Sequence, residues 1–341
     1  MLKKVLPSIS AIIPVFNEED NLKRLFNSLK SQTYPRNKIE YIVVNDGSND
    51  NSEKLARKFG ARILNVKTHD IELNKGIGMH AAKNDLVYWF DADMEVCCNN
   101  FFELLANPLL EDKKIIGSFT KEFSIETKPR VKSSLLRFIA HHPLMQDPLY
   151  AFFSPSIAST VIEKREKYFL CNFTPGKIPA MGRILYRRKE LLKTVVGKDK
   201  SFIDLESIEI VARAGHQLFA YVPLAKIRHY HAENLKLLII KRLRNLERDY
   251  LPNLNHKYYL WFDPKKRKDL LKIFFWVAYA NLFIPELIRG VLRTIKHRDP
   301  AFLWHPIVAM TTTDAIVWGF VSRPQGRGFV VKLIKNLLSK I

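Results

Sequence analysis

The chain has 341 residues, which is enough for one large domain or for two. Its 55 Lys and Arg residues outnumber its 34 Asp and Glu residues, and the resulting net charge of +21 indicates a polyanionic partner such as nucleic acid, anionic lipid headgroups or phosphorylated substrates. The three cysteines, Cys97, Cys98 and Cys171, form no CxxC pair and no metal-ligand spacing, which favours a reduced, cytosolic setting.

Strand and helix patterns alternate over the first hundred residues. The N-terminal apolar stretch is broken by Pro14 and lacks the features of a signal peptide. Apolar, β-branched runs predict strands at ISAIIPVF, IEYIVVND, ARILNV and LVYWFDAD. Amphipathic runs predict helices at NEEDNLKRLFNSLKSQ, with Asn17 as a candidate cap, and at SEKLARKFG, which Gly60 ends. The stretch before the fourth strand is expected to be a polar loop. This order predicts an α/β fold with a doubly wound, mostly parallel sheet that binds ligands beyond the carboxyl ends of its strands.

The pattern changes in the second half of the chain. Residues 120–202 are interrupted by prolines and are expected to be irregular with short helices, and SFIDLESIEIVARAGHQLFAYVP then predicts a helix and a strand. A basic amphipathic helix is predicted from Glu233 to Leu251, followed by the run PKKRK and two aromatic-rich apolar segments. We therefore expect a catalytic domain over residues 1–232, divided into 1–118 and 119–232, and a C-terminal region of amphipathic and apolar helices over 233–341.

Acidic residues follow two of the predicted strands. Asp46 ends the second strand, and Asp91 and Asp93 end the fourth. Carboxylates this close repel each other unless a cation or several hydrogen bonds hold them, and their hard oxygen ligands suit Mg²⁺ or Mn²⁺. The D-x-D tripeptide alone is also compatible with a solvated turn. Because the carboxyl ends of parallel strands share one edge, the sequence predicts that these residues line one crevice.

The segment GIGMHA fits the spacing of a dinucleotide-binding fingerprint, with Gly76, Gly78 and Ala81. That interpretation is rejected because a polar loop, not a strand, is expected before it, and no acidic residue closes a following strand at the required distance.

Taken in order, IIPVFNEE, VVNDGS, NKGIGMHAAKN, FDAD and FIDLESIEIVARAGHQLFAYVPLAKIRHYH resemble the family 2 glycosyltransferases of GT-A fold. The resemblance covers roughly residues 8–231. It implies a Rossmann-like nucleotide-binding half and a reaction that inverts the anomeric carbon of a nucleotide-sugar donor. One position departs from the family pattern: the usual Glu-Asp pair is Ile203-Asp204 here, with Glu206 two residues further on.

The resemblance also implies roles for individual residues. Pro14 and Phe16 are expected to line the base pocket with Glu18 nearby, and Asp46 to accept a hydrogen bond from the base. Lys75 is expected near the diphosphate and Asp91 at the ribose. Asp93 is expected to hold Mn²⁺ or Mg²⁺, with His229 near the metal or the diphosphate, and Asp204 to act as the general base. If the acceptor is a lipid phosphate, which is already ionised, a base is needed less.

Two other functions remain open from the sequence. A nucleotidyltransferase that makes sugar nucleotides shares a parallel sheet and acidic ligands, but a Gly-rich loop is expected after its first strand, where this chain has FNEED. A non-enzymatic basic protein that binds nucleic acid or membranes explains the charge, but it does not explain a crevice lined by aspartates. We therefore expect no nucleic-acid partner.

The C-terminal region predicts association with a membrane. The segment 273–288 is short for a spanning helix, and the segment 301–321, although long enough, contains His305 and Asp314. The basic helix and the PKKRK run suit an anionic headgroup region. The expectation is a monotopic enzyme on the cytoplasmic face with a lipid-linked or glycan acceptor; a transmembrane hairpin is the second interpretation, and helices packed as ordinary core are the third.

Overall fold

Strands and helices alternate in the first half of the chain, as the sequence predicts. The computed structural model describes residues 5–120, 133–141, 152–194, 202–252, 263 and 265–338. The chain divides into two compact units, the first formed by Met1–Ser124 and Ser156–Arg228 and the second by Ile125–Pro155 and His229–Ile341. The strands are β1 Ile9–Val15, β2 Ile39–Asn45, β3 Arg62–Asn65, β4 Leu86–Trp89, β5 Met94–Val96, β6 Gly117–Phe119, β7 Val161–Lys164, β8 Phe169–Asn172, β9 Ile184–Arg187, β10 Leu218–Tyr221 and β11 Ile227–His229.

Helices of the first unit flank these strands, and the second unit is helical. Those of the first unit are α1 Glu19–Lys30, α2 Ser52–Phe59, α3 Ile71–Ala81, α4 Phe101–Glu111, α6 Arg188–Lys193 and α7 Asp204–Arg213. Those of the second are α5 Ser134–His141, α8 Leu235–Asn245, α9 Arg267–Asn281, α10 Ile284–His297, α11 His305–Ser322 and α12 Pro324–Leu338, with a 3-10 helix at Pro300–Trp304.

Among the described residues, nine strands form one sheet in the order β3-β2-β1-β4-β9-β6-β10-β8-β7, and β5 pairs with β11. Neighbouring strands are parallel from β3 to β4 and between β6 and β10. Strand β9 runs antiparallel to both β4 and β6, and β8 runs antiparallel to β7 and β10. The expected α/β class, with a mostly parallel sheet and C-terminal helices, is confirmed.

The core of the first unit explains why these segments adopt their structure. All seven residues of β1 are buried, as expected for a central strand covered on both faces. The apolar face of α1 packs on the sheet through Leu22, Leu25, Phe26 and Leu29. Helix α2 ends at Gly60, whose φ of 86° is in the left-handed region that favours glycine.

Two local expectations were wrong, and a third holds only in part. Asn17 does not cap α1; it has a φ of 53°, and its side-chain oxygen accepts a hydrogen bond from the Asn49 backbone at 2.8 Å. The expected polar loop before β4 is helix α3, which Asp70 caps by accepting hydrogen bonds from two backbone N–H groups. Glycine lies inside this helix because a Cβ at residue 78 would come within 2.4 Å of the Ile12 side chain in β1. The third expectation, an irregular stretch from 120 to 202, holds only in part, since β7, β8 and β9 lie within it. These strands are four residues long and too short to produce a clear period-2 pattern.

The C-terminal apolar segments form shorter helices than their length in the sequence suggests. The segment 273–288 is divided between α9 and α10, and the segment 301–321 between the 3-10 helix and α11. Over the residues described, no helix by itself has the length and apolar character of a membrane span; α9 and α10 meet that test only together, and a bend of 71° separates them.

Candidate active site

A crevice opens where β1 and β4 separate at their carboxyl ends. The β1–β4 pairing ends at Ile12 and Trp89. In the last hydrogen bond between the two strands, the Phe90 N–H donates to the Ile12 carbonyl oxygen. Pro14, buried in β1, has no N–H with which to extend the pairing. The β1–β4 pairing therefore stops here, and the residues that follow β1, β2 and β4 lie at this edge of the sheet.

Phe16 and Glu18 follow β1 at this edge. Phe16 is 52% exposed, and the edge of its ring meets His69, with the centroids 6.3 Å apart. The Glu18 carboxylate accepts a hydrogen bond from the Asn21 amide at 2.6 Å. An exposed aromatic ring beside a carboxylate provides a surface for stacking and hydrogen-bonding a planar base.

Asp46, at the end of β2, is buried within a network of hydrogen bonds. The backbone N–H of Thr68 donates to its Oδ1 at 2.8 Å, and the amide of Asn74 donates to its Oδ2 at 3.0 Å. Burial raises the pKa of this carboxyl, but the hydrogen bonds outweigh that effect and hold the pKa below its usual value. Asp46 is therefore a fixed anion at neutral pH.

Lys75, on α3, is buried between two carboxylates. Its Nζ lies 3.1 Å from Glu72 Oε2 and 3.7 Å from Asp204 Oδ2. Burial opposes its charge, yet the neighbouring carboxylates of Asp204, Glu72 and Asp91 raise its pKa above the ordinary value. The residue thus holds a permanent positive charge inside the crevice.

Asp91, which follows β4, pairs with Arg183. The Arg183 Nη2 lies 2.7 Å from Asp91 Oδ2, and both side chains are largely covered. Burial lowers the pKa of this guanidinium, but the carboxylates around it, that of Asp91 first, raise it overall. Arg183 has a φ of 62°, a left-handed conformation that is costly for a residue with a side chain. A strained backbone therefore places this cation against the strand-end carboxylate.

Asp204 is the first residue of α7, and the turn before Arg183 fits closely against it. A Cβ added at Gly182 would lie 2.9 Å from Asp204 Oδ2, so the absence of a side chain there permits the approach. Asp204 and Asp91 are thus held by Lys75 and Arg183 in a set of alternating charges. The strand ends and α3 bring together Asp46, Lys75, Asp91 and Asp204, which are far apart in the sequence.

The two predicted metal ligands lie in different units. Asp93 lies in the turn between β4 and β5 and is partly buried. His229 is the last residue of β11 and is buried; it belongs to the second unit, where its ring centroid is 5.2 Å from that of His231. Their joint binding of a cation stays a prediction.

Sequence reasoning missed two residues of this cluster, Glu72 and Arg183. Glu72 had a detectable signal, because it lies three residues before Lys75 and shares a helical face with it once α3 is known to be a helix. Arg183 had none, since the turn that brings it to Asp91 joins residues 92 positions apart.

The fold and this crevice define an α/β protein with a charged cleft beyond the carboxyl ends of a mostly parallel sheet, and comparison with known proteins supports a glycosyltransferase. Residues 10–169 match the family described as Glycosyl transferase family 2. This match supports a family 2 glycosyltransferase domain in the part of the chain that carries Asp46, Lys75, Asp91 and Asp93.

Curated relatives match over shorter stretches. Glycosyltransferase AglE of Haloferax volcanii is 37% identical over 83 residues, which are 24% of this chain and 27% of the relative. Undecaprenyl-phosphate 4-deoxy-4-formamido-L-arabinose transferase of Proteus mirabilis is 36% identical over 96 residues, 26% of this chain and 29% of the relative. The chain therefore spans less than a third of the length of these two relatives.

Among solved structures, a mannosyltransferase from Pyrobaculum calidifontis, in complex with GDP-Man and Mn²⁺, is 13% identical with a TM-score of 0.47; the alignment covers 92% of this chain and 88% of that one.

Proposed function

We propose that this chain is an inverting, metal-dependent glycosyltransferase that moves a sugar from a nucleotide-diphosphate sugar to a lipid-linked acceptor. The acceptor would be a polyprenyl or dolichyl phosphate or a lipid-linked glycan. The main support is the cluster of Asp46, Lys75, Asp91 and Asp204 in one crevice, of which the first three lie within the residues that match Glycosyl transferase family 2. The name of the Proteus mirabilis relative, which includes undecaprenyl-phosphate, supports this acceptor class.

The donor would bind along the edge of the sheet. Phe16 would stack on the base beside Pro14 and Glu18, and Asp46 would accept a base N–H, for which its fixed negative charge suits it. Asp91, held by Arg183, would accept hydrogen bonds from the ribose. Lys75, whose charge is permanent, would attract the diphosphate, whose negative charge increases as the glycosidic bond breaks.

Mn²⁺ or Mg²⁺ is the proposed cofactor. Asp93 supplies a hard oxygen ligand of the kind that these ions take, and the nearby Asp91 is committed to Arg183 at 2.7 Å, so we assign the metal contact to Asp93. His229 is proposed as its neighbour near the metal or the diphosphate. When bound, the ion would act as a Lewis acid that stabilises the departing diphosphate.

Asp204 would act on the acceptor. If a hydroxyl attacks the anomeric carbon, the Asp204 carboxylate would take its proton, while Lys75 fixes the position of that carboxylate. An acceptor phosphate is already ionised and attacks without this step. In either case the new bond forms opposite the leaving diphosphate and the configuration inverts.

A lipid-linked acceptor requires contact with a membrane. We propose monotopic association at the cytoplasmic face, in agreement with the basic composition and with the bend of 71° between α9 and α10. The described helices favour this arrangement over a single spanning helix.

The direct test is a panel of UDP- and GDP-sugars, incubated with Mn²⁺ and polyprenyl phosphate, with and without EDTA. We expect transfer from one donor class, loss of transfer in EDTA and recovery with added metal. Asp93→Ala should abolish transfer, whereas Asp85→Ala, an exposed aspartate just before the other end of β4, should leave it unchanged. Normal turnover in Asp93→Ala would overturn the metal assignment, and no transfer from any donor would overturn the proposed function.

A further inference from the structure

Helix α10 has an unusual orientation within the second unit, because a glutamate faces inward and aliphatic side chains face outward. Glu286 is completely buried, and its Oε2 lies 2.8 Å from His305 Nε2 of α11 and 3.7 Å from Arg289 Nη1. The exposed side carries aliphatic residues at helical spacing, namely Ile284, Ile288, Val291, Leu292 and Ile295. We call these five residues the α10 stripe.

Close packing fixes this orientation. A Cβ at Gly290 would come within 2.6 Å of the Phe302 carbonyl oxygen in the 3-10 helix, so α10 lies against that backbone without a side chain between them. Rotation of α10 to bury the α10 stripe would expose Glu286 and separate it from His305. The buried contact of Glu286 with His305 and the glycine contact therefore hold the apolar residues outward.

The exposure is too large to be ordinary surface variation. Ile288 is 56% exposed, Leu292 62% and Ile295 70%, and they follow one another along a single face. Soluble proteins seldom expose contiguous apolar residues of this kind unless a partner covers them. Helix α9 adds exposed rings, Phe274 and Phe275, and Leu282 and Phe283 are exposed at the bend between the two helices.

Exposed cations accompany the apolar residues of α9 and α10. Lys296 follows Ile295 of the stripe and is exposed, and an exposed basic run, Lys265 to Lys268, lies at the N-terminal end of α9. A second copy of the same face would bring these cations together and be repelled, and a neutral bilayer offers them no counter-charge. An anionic bilayer matches both the aliphatic face and the cations.

We infer that the α10 stripe inserts into the headgroup boundary of an anionic bilayer, with α10 lying parallel to the surface. Its 14 residues reach about 21 Å, less than the roughly 30 Å of a hydrocarbon core. The inference deepens the proposed membrane association by naming the face and the lipid charge. It replaces the basic helix that the sequence indicated, because Leu238 of α8 is buried in the core of the second unit.

The test is flotation of the full chain with vesicles of phosphatidylcholine, with and without phosphatidylglycerol. The wild type should float with the anionic vesicles and much less with the neutral ones.

Ile288→Asp combined with Leu292→Asp should weaken binding about a hundredfold, because insertion of one aliphatic side chain favours the bound state by about tenfold or more. Ile162→Asp, which changes a similarly exposed isoleucine in the first unit, should float like the wild type. Lys296→Gln should weaken binding to anionic vesicles about fivefold and leave neutral vesicles unaffected.

Three outcomes would overturn the inference. The first is flotation of the double variant at wild-type levels. The second is a dimer in solution that the same substitutions dissociate, which would identify a second copy as the partner. The third is wild-type protein that withstands carbonate and leaves the membrane only in detergent, which would identify a hairpin. Titration with UDP and GDP checks that the double variant retains its donor site. Vesicle binding needs no turnover, so its failure is distinct from failure of sugar transfer.

Discussion

Replacement of Arg183 tests how the crevice holds Asp91. Arg183→Ala removes a charged hydrogen bond, which contributes about 1.5–3 kcal/mol in folded proteins. Asp91 is 24% exposed, so water replaces part of this interaction and we expect the lower end of that range. Arg183→Gly removes the same hydrogen bond and also relieves the φ of 62°, which costs roughly 1–2 kcal/mol for a residue with a Cβ. The glycine variant should therefore be about 1 kcal/mol more stable than the alanine variant.

Urea denaturation would measure the two stabilities, and calorimetric titration with nucleoside diphosphates would measure donor binding. Both variants should lose about tenfold in affinity, equivalent to ~1.4 kcal/mol, because both leave Asp91 without its guanidinium. Arg57→Ala, which breaks an exposed ion pair with Glu53, should change stability by less than about 0.5 kcal/mol and leave binding intact. Recovery of affinity in Arg183→Gly would refute the argument, since it would assign the loss to the backbone. Wild-type binding by Arg183→Ala would refute it as well.

Two more predictions concern single carboxylates. Asp204→Asn should lower turnover with a hydroxyl acceptor by roughly 10²–10⁴-fold and change donor affinity little. The same variant should leave transfer to a phosphate acceptor largely intact. Equal losses of turnover with both acceptors would assign Asp204 to binding. Asp46 has a lowered pKa in the folded protein, so its stabilising effect is present above the ordinary value of 3.8 and is lost as the pH falls through the folded pKa. The stability difference between the wild type and Asp46→Asn should therefore be constant near neutral pH and shrink below pH 3.8. Urea titrations that show the same stability difference at pH 3 and pH 7 would contradict the lowered pKa of Asp46.

The sequence predicted the part of the crevice that depends on strand ends. Asp46, Asp91 and Asp93 directly follow apolar runs, and parallel strands bring their carboxyl ends to one edge of a sheet, so local patterns are sufficient to group them. Their partners depend on contacts between distant segments. Lys75 reaches Asp204 only because α3 packs on β1 at Gly78, and Arg183 reaches Asp91 only through a turn in the left-handed region.

The error at α3 has a physical explanation. Two glycines and several polar residues make the segment a poor helix by intrinsic propensity, since each glycine costs about 1 kcal/mol relative to alanine. Tertiary packing outweighs that cost, because the missing side chain at Gly78 lets the helix approach Ile12 closely. The sequence pattern did not predict α10 as an amphipathic helix, because 273–288 was treated as one apolar segment; burial of Glu286 against His305 turns the aliphatic side of α10 outward.

The hydrogen bonds around Asp46 are compatible with the hydrogen bond that we propose it accepts from the nucleobase. The Thr68 hydroxyl has one proton and three acceptors within reach, Asn74 Oδ1 at 2.7 Å, Asp46 Oδ2 at 3.2 Å and the Asp70 carbonyl oxygen at 3.3 Å. The shortest contact favours donation to Asn74, and the single hydroxyl proton cannot serve all three acceptors. Asp46 Oδ2 then keeps the amide of Asn74 as its close donor and has a lone pair for an incoming N–H. Because Asn74 and Lys75 are consecutive on α3, the side chain that orients Asp46 and the cation that holds Asp204 are fixed by the same turn of helix. Displacement of that turn would therefore disturb the proposed base pocket and the carboxylate that we propose acts on the acceptor.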